Sequence, residues 1–173
     1  ESASKSVWTI GVALRPATLP GSSESQSGNN RRAGDGTELG LGIHNEPGAH
    51  ILPISPANVE DFVDQVVNTI CELLDAAISE NLGHDHPQPK AIAILVNNLG
   101  SVSQLSMSVV LRAVSDNIFG DLAKRHILAG CKSPRVYMSS GTLVTSLDMN
   151  GFSISALIIH DDETEELLLA ETP

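Results

Sequence analysis

From Val59 to Ile78 the apolar residues return with a spacing of about 3.6, at Val59, Phe62, Val63, Val66, Val67, Ile70, Leu73, Leu74, Ala77 and Ile78. The opposite side carries Glu60, Asp61, Asp64, Glu72 and Asp75. A helix with one apolar stripe has to lay that stripe on another element. Its start is marked by Ser55-Pro56, a capping hydroxyl followed by a proline suited to the first helical position, and its stop by Gly83, after an end near Asn81. The next apolar segment is AIAILV, residues 91–96. A run without polar interruption reads as a central strand covered on at least one face.

The rest of the chain fits around that pair. Residues 7–14, VWTIGVAL, read as a first strand, and residues 38–44 as a second. Between them residues 15–36 are crowded with Pro, Gly, Ser and Asn and read as a long polar loop. A second helix is expected from about residues 101–103 to Ala123, with a weaker polarity pattern. Residues 135–138 and 152–159 read as strands, the latter as FSISALII. An acidic turn at 161–166 is then followed by the start of a last helix at 167–169. The sum is one domain over 1–173, a two-layer α/β unit with a mixed sheet and helices mainly on one face.

Charge narrows the function. The net charge of −11 argues against nucleic acid, which calls for a basic face, and against an anionic membrane surface. No apolar run reaches the ~18 residues of a membrane span. Only Cys71 and Cys131 occur, and the first residues, ESASKSVWTIGV, lack the pattern of a secretory signal. A cytoplasmic setting is therefore expected. Aromatic residues make up 3% of the chain, so little for a free-standing domain that part of its natural core is expected elsewhere.

Several groups of residues are candidate sites. His84-Asp85-His86 could offer two imidazoles, but a closed zinc site needs four ligands and no others stand near, so no metal is expected. Residues 161–166, DDETEE, lack the alternating oxygens and glycine of a calcium loop. Asn97-Asn98-Leu99-Gly100 follows a strand and precedes a helix, where α/β proteins often bind ligands, yet such turns use Asn and Gly for backbone reasons too. Cys71 falls within the helix pattern and reads as a small core residue. That leaves ELGLGIHNEPG, residues 38–48. Its His44 ends a strand-like run, Glu46 could hold one ring nitrogen, and Pro47-Gly48 turns the chain away, leaving the imidazole at a rim.

Four blocks, taken in order, resemble the dihydroxyacetone kinase family. GVALRPATLPG is similar to its GVALxxCxxPG, ELGLGIHNEPG to its ELGxGIHGEPG, LVNNLG to the segment that follows, and TSLDMNGFSISAL to its TSLDMxGFSxxLL. They span residues 11–157 and match the second, C-terminal subdomain of the family's substrate-binding domain. The resemblance implies a two-layer α/β fold and homodimer contacts. It also implies that His44 attacks the ketone of dihydroxyacetone and holds it as a hemiaminal, so that glycerol, which has no carbonyl, is rejected. Phosphorylation of the held substrate then depends on positioning and electrostatics. Asn45 stands where the family has glycine, a position asparagine tolerates better than most residues, and Ala17 stands where it has cysteine.

The family's SGGGSGHEP-type block, with its acid/base histidine, and its catalytic aspartate belong to the preceding subdomain and do not occur here. ATP and Mg are expected for the full enzyme through a domain outside this sequence, or through separate phosphoryl-transfer partners. These residues alone are therefore expected not to phosphorylate. Two further readings follow from relatives within the family: a dihydroxyacetone-sensing regulatory module, and the kinase half of a bifunctional kinase/FAD-AMP lyase.

Overall fold

A computed structural model describes residues 6–15, 37–40, 48–52, 59–82, 89–121, 135–146 and 149–170. Six strands form one sheet: β1 (Val7–Arg15), β2 (Thr37–Leu39), β3 (His50–Leu52), β4 (Ala91–Asn98), β5 (Arg135–Gly141) and β6 (Asn150–Ile159). Their order is β3-β2-β1-β6-β4-β5. β4 and β5 run parallel, while the other neighbours are antiparallel, so the sheet is mixed as expected. The helices are α1 (Val59–Leu82), α2 (Gln104–Asp121) and α3 (Asp162–Leu169).

Strand alternation divides the sheet into two faces. Ile92, Ile94 and Val96 of β4, Phe152, Ile154, Ala156 and Ile158 of β6, and Val12 of β1 point one way. They bury against Val66, Val67 and Ile70 of α1 and Met107, Val110 and Val114 of α2. The α1 stripe read from its spacing is this buried face: Val66, Val67, Ile70 and Ile78 are inaccessible to solvent. At ~25 cal/mol per Å2 of apolar area removed from water, each such side chain contributes roughly 1.5–3 kcal/mol.

Helix starts follow local chemistry. Ser103 caps α2, its Oγ accepting from Ser106 N–H at 3.1 Å. Asp161 caps α3, accepting from Thr164 N–H at 2.7 Å. The acidic run expected as a turn is thus the first turn of a helix, with Asp162, Glu163 and Glu165 beside the positive end of the helix dipole. Lys90 Nζ pairs with Asp162 at 2.8 Å. Glu165, 5% exposed, accepts from the Tyr137 hydroxyl and pairs with Arg135 at 2.6 Å. Tyr137 pairs in register with Ala93, on the face away from α1 and α2, and so α3 touches the sheet from that side.

Boundaries moved in places. β2 is three residues long, and the remainder of the expected strand, 41–44, lies outside the described residues. So do Ser55-Pro56, Gly83, the His84–His86 group, and the long loop beyond Arg15. β3 was not anticipated. It is three residues long, with Ile51 59% exposed, and carries no apolar pattern to announce it.

Candidate functional site

In two central rows the second face of the sheet is rich in small and polar side chains. In one row across the strands, Gly11 pairs with Ser153 and Ser153 with Asn97, while Gly40 N–H donates to Gly11 O at 2.7 Å. In the next row Thr9 pairs with Ser155 and Ser155 with Leu95, the Thr9 and Ser155 hydroxyls bonded at 2.8 Å. Leu99 and Val144 close the edge. The hollow they enclose has a volume of about 290 Å3, at the lower end of the ~300–1,000 Å3 usual for small-molecule sites. Glycines at Gly11 and Gly40 leave its floor without side chains, and Gly40 holds a left-handed φ of +74° that favours glycine.

The edge is built by two asparagines that spend their amides on backbone. Asn97, 3% exposed, accepts at Oδ1 from the N–H groups of Leu143 (2.8 Å) and Val144 (3.1 Å), and its Nδ2 donates to Val144 O at 2.7 Å. Asn98 Oδ1 accepts from Gly100 N–H at 2.9 Å and Val102 N–H at 3.3 Å, while Nδ2 donates to Val102 O at 2.7 Å. Both residues are therefore scaffold: Asn97 pins the segment after β5, and Asn98 shapes the turn into α2. Leu99 ties the blocks together, its N–H donating to Gly151 O at 3.0 Å and its carbonyl accepting from Ser146 N–H at 2.9 Å. The four sequence blocks, distant along the chain, thus meet around this hollow.

Thr9, Gly11, Leu95, Ser153 and Ser155 went unrecognised in the sequence. A signal was present: TIGV and FSISAL alternate small or polar residues with apolar ones, and the small partners share one face once the strands pair. His44, with Asn45 and Glu46, lies outside the described residues. The segment that carries it leaves from Gly40, a lining residue, and returns at Gly48, whose N–H donates to Glu38 Oε2 at 3.2 Å.

Among the described residues lining the hollow none is titratable. The perturbed groups lie around α3. A hydrogen bond to Glu165 raises Tyr137 above the ordinary phenol value, and hydrogen bonds from Thr164, first from its N–H and then from its hydroxyl, hold Asp161 below the usual carboxylate value. No group of three or more His, Cys, Asp or Glu side chains suited to a metal occurs among the described residues. No helix among them is long and apolar enough to cross a membrane.

The described residues thus form a mixed α/β sheet with an uncharged, hydroxyl-lined hollow on the face away from its two long helices. The chain belongs to the Dak1 domain family, whose model matches residues 1–173. It is 31% identical over 169 residues to a dihydroxyacetone kinase of Citrobacter freundii, covering 98% of this chain and 25% of that one. Human triokinase/FMN cyclase is 30% identical over 171 residues, with 97% and 25% covered. The crystal structure of the native C. freundii kinase superposes with a TM-score of 0.69 over 98% of this chain and 26% of its own. The same kinase in complex with AMP-PNP and Mg2+ gives 0.61, again over 98% and 26%. A dihydroxyacetone kinase operon co-activator gives 0.72 at 23% identity, over 96% of this chain and 44% of its own, a likeness of fold alone. The chain spans about a quarter of the length of the curated relatives it matches.

Proposed function

We propose that this chain is the second subdomain of the substrate-holding domain of a dihydroxyacetone kinase, and that His44 holds the ketose covalently. A neutral imidazole nitrogen adds to the ketone carbon, forming a C–N bond. The carbonyl π pair moves onto oxygen, which takes a proton, and the imidazole loses its own to give a neutral hemiaminal. A terminal hydroxyl of the held triose then receives a phosphoryl group. ATP and Mg are brought by parts of the parent protein outside this chain, as the AMP-PNP and Mg2+ complex of the C. freundii kinase suggests for such an enzyme. The parent is further proposed to be a cytoplasmic homodimer.

One observation carries the reading. Gly40 both lines the hydroxyl-bearing hollow and opens the segment in which His44 lies four residues on. Thr9, Ser153 and Ser155 supply donors and acceptors suited to a triose, and the proposed nucleophile lies on the segment that follows Gly40. Acid/base groups for the transfer are assigned to the preceding subdomain, so this chain by itself is proposed not to phosphorylate.

The test is NMR of the full-length parent protein with dihydroxyacetone labelled with carbon-13 at the carbonyl. A protein-bound tetrahedral-carbon signal, distinct from the free hydrate and lost in His44→Ala, is expected. The same signal in folded His44→Ala would overturn the assignment. Capture without turnover in the intact protein would move the reading to a ligand sensor.

A further inference from the structure

We propose that the Thr9–Ser155 hydroxyl pair is the specificity-determining element of the hollow, reading a hydroxyl of a polyhydroxylated ketone. The inference rests on the reading of the hollow as the triose site given above. Thr9 and Ser155 face one another across the antiparallel β1–β6 pair, and their hydroxyl oxygens stand 2.8 Å apart. Such a pair uses one hydroxyl proton internally. The accepting hydroxyl keeps its own proton for a second partner, and lone pairs remain on both oxygens. Thr9 is exposed and Ser155 half-buried, so the pair stands at the open side of the sheet rather than in the core.

The rest of the lining points to this pair. Asn97 brings an amide to the hollow, but both of its ends are spent on the backbone of Leu143 and Val144. Gly11 and Gly40 add no side chain, and Leu95, Leu99 and Val144 are apolar. Among the described lining residues this leaves the hydroxyls of Thr9, Ser153 and Ser155 to meet a ligand. A cross-strand Thr–Ser bond steadies any sheet, but here it stands in the wall of a concavity that two leucines and a valine also line. A small hydroxylated ketone has the matching pattern, with C–H surface for the apolar residues and a hydroxyl for the pair. A site built to hydrogen-bond a hydroxyl penalises an analogue without one, because its own polar groups are then left unpaired.

The experiment uses the full-length parent protein and compares monomeric dihydroxyacetone with acetone, which keeps the carbonyl and lacks both hydroxyls. NMR titration gives the overall affinity for each, adduct included, and a thermal melt accompanies every variant. Thr9→Val keeps the shape of the side chain and removes its hydroxyl. It is expected to weaken dihydroxyacetone on the order of 10-fold and acetone far less, so the ratio of the two affinities narrows. Ser155→Ala should narrow it likewise, and the double variant should lose little more than either alone, because the two hydroxyls act as a unit. Thr9→Ser, which retains the hydroxyl, should keep the ratio. A purely structural role would lower the melting temperature and leave the ratio unmoved, and an unmoved ratio in Thr9→Val overturns the proposal. Should Thr9→Val fail to fold, Ser155→Ala decides on the same criterion. His44→Ala separates this inference from the reading beneath it. Loss of the carbon-13 adduct in that variant, with an unmoved ratio in Thr9→Val, refutes the hydroxyl pair and leaves the histidine standing. An adduct that persists in His44→Ala, with a narrowed ratio in Thr9→Val, overturns the histidine and leaves the pair standing.

Discussion

Asn97 and Val144 are held to one another at both ends of an amide, Nδ2 donating to the Val144 carbonyl at 2.7 Å and Oδ1 accepting from its N–H at 3.1 Å. The pairing copies a β-ladder with a side chain in place of a strand. It sets Val144 over the edge of the hollow while leaving that residue 51% exposed.

Asn97→Ala is expected to cost about 2–3 kcal/mol, because three backbone groups lose a buried partner at once. Equilibrium unfolding in denaturant measures it. A change below ~0.5 kcal/mol, the range of ordinary surface substitutions, would show that the segment after β5 does not depend on this amide.

Gly151 and Gly141 separate two roles of glycine. A Cβ at Gly151 would overlap the Val12 carbonyl oxygen across the β1–β6 pair, where only backbone could yield. Gly151→Ala should destabilise by about 3 kcal/mol or more. At Gly141 the nearest atoms are the Leu143 side chain at 3.4 Å, an ordinary contact, and alanine should be tolerated within ~0.5 kcal/mol. Paired thermal melts test the contrast, and equal losses would contradict it.

Tyr137 is the single tyrosine of the chain, so its phenolate absorbance can be titrated without ambiguity. The Glu165 hydrogen bond raises its pKa in the folded state, and the bond's stabilising contribution is complete below the ordinary value near 10. It is lost as pH climbs through the higher folded value. Glu165→Gln should move the titration back toward the ordinary value. A titration indistinguishable from free tyrosine in the unaltered chain would refute the pairing.

Acid acts on the other end of α3. Asp161 is held below its ordinary value of 3.8 by the Thr164 N–H and hydroxyl, so the cap's contribution is present above that value and lost as pH falls through the folded one. Amide exchange of Thr164 should accelerate over that window, and Asp161→Asn, a capping residue without the charge, should flatten the dependence.

Elements with a strong one-dimensional signal were legible. The α1 stripe, the unbroken β4 run and the FSISALII strand each announce their burial through period or composition, and two-layer packing follows because those surfaces require one another. β3 was hidden because backbone pairing to β2, not apolar patterning, makes it a strand. The start of α3 was misread because DDETEE looks like a solvated turn until Asp161 and Thr164 are seen as a cap and its N3 partner. The hollow needed register as well as sequence: Thr9 and Ser155 are 146 positions apart, and only the antiparallel pairing puts their hydroxyls together. His44 is proposed from motif resemblance alone, since a lone histidine has no spacing partner to mark it, and it lies outside the described residues.

Strand order has a further consequence, for the route by which the chain folds. β1 and β4 are not paired; β6, later in the sequence than both, lies between them. Until it arrives, the first and middle parts of the sheet each present a long unsatisfied edge, and closure must bridge more than a hundred positions between Trp8 and Ala156. Such non-local closure is slow and leaves exposed edges that invite aggregation. A ribosome stalled before β6, or a truncation that removes it, would leave two half-sheets, each with an unpaired edge where β6 belongs.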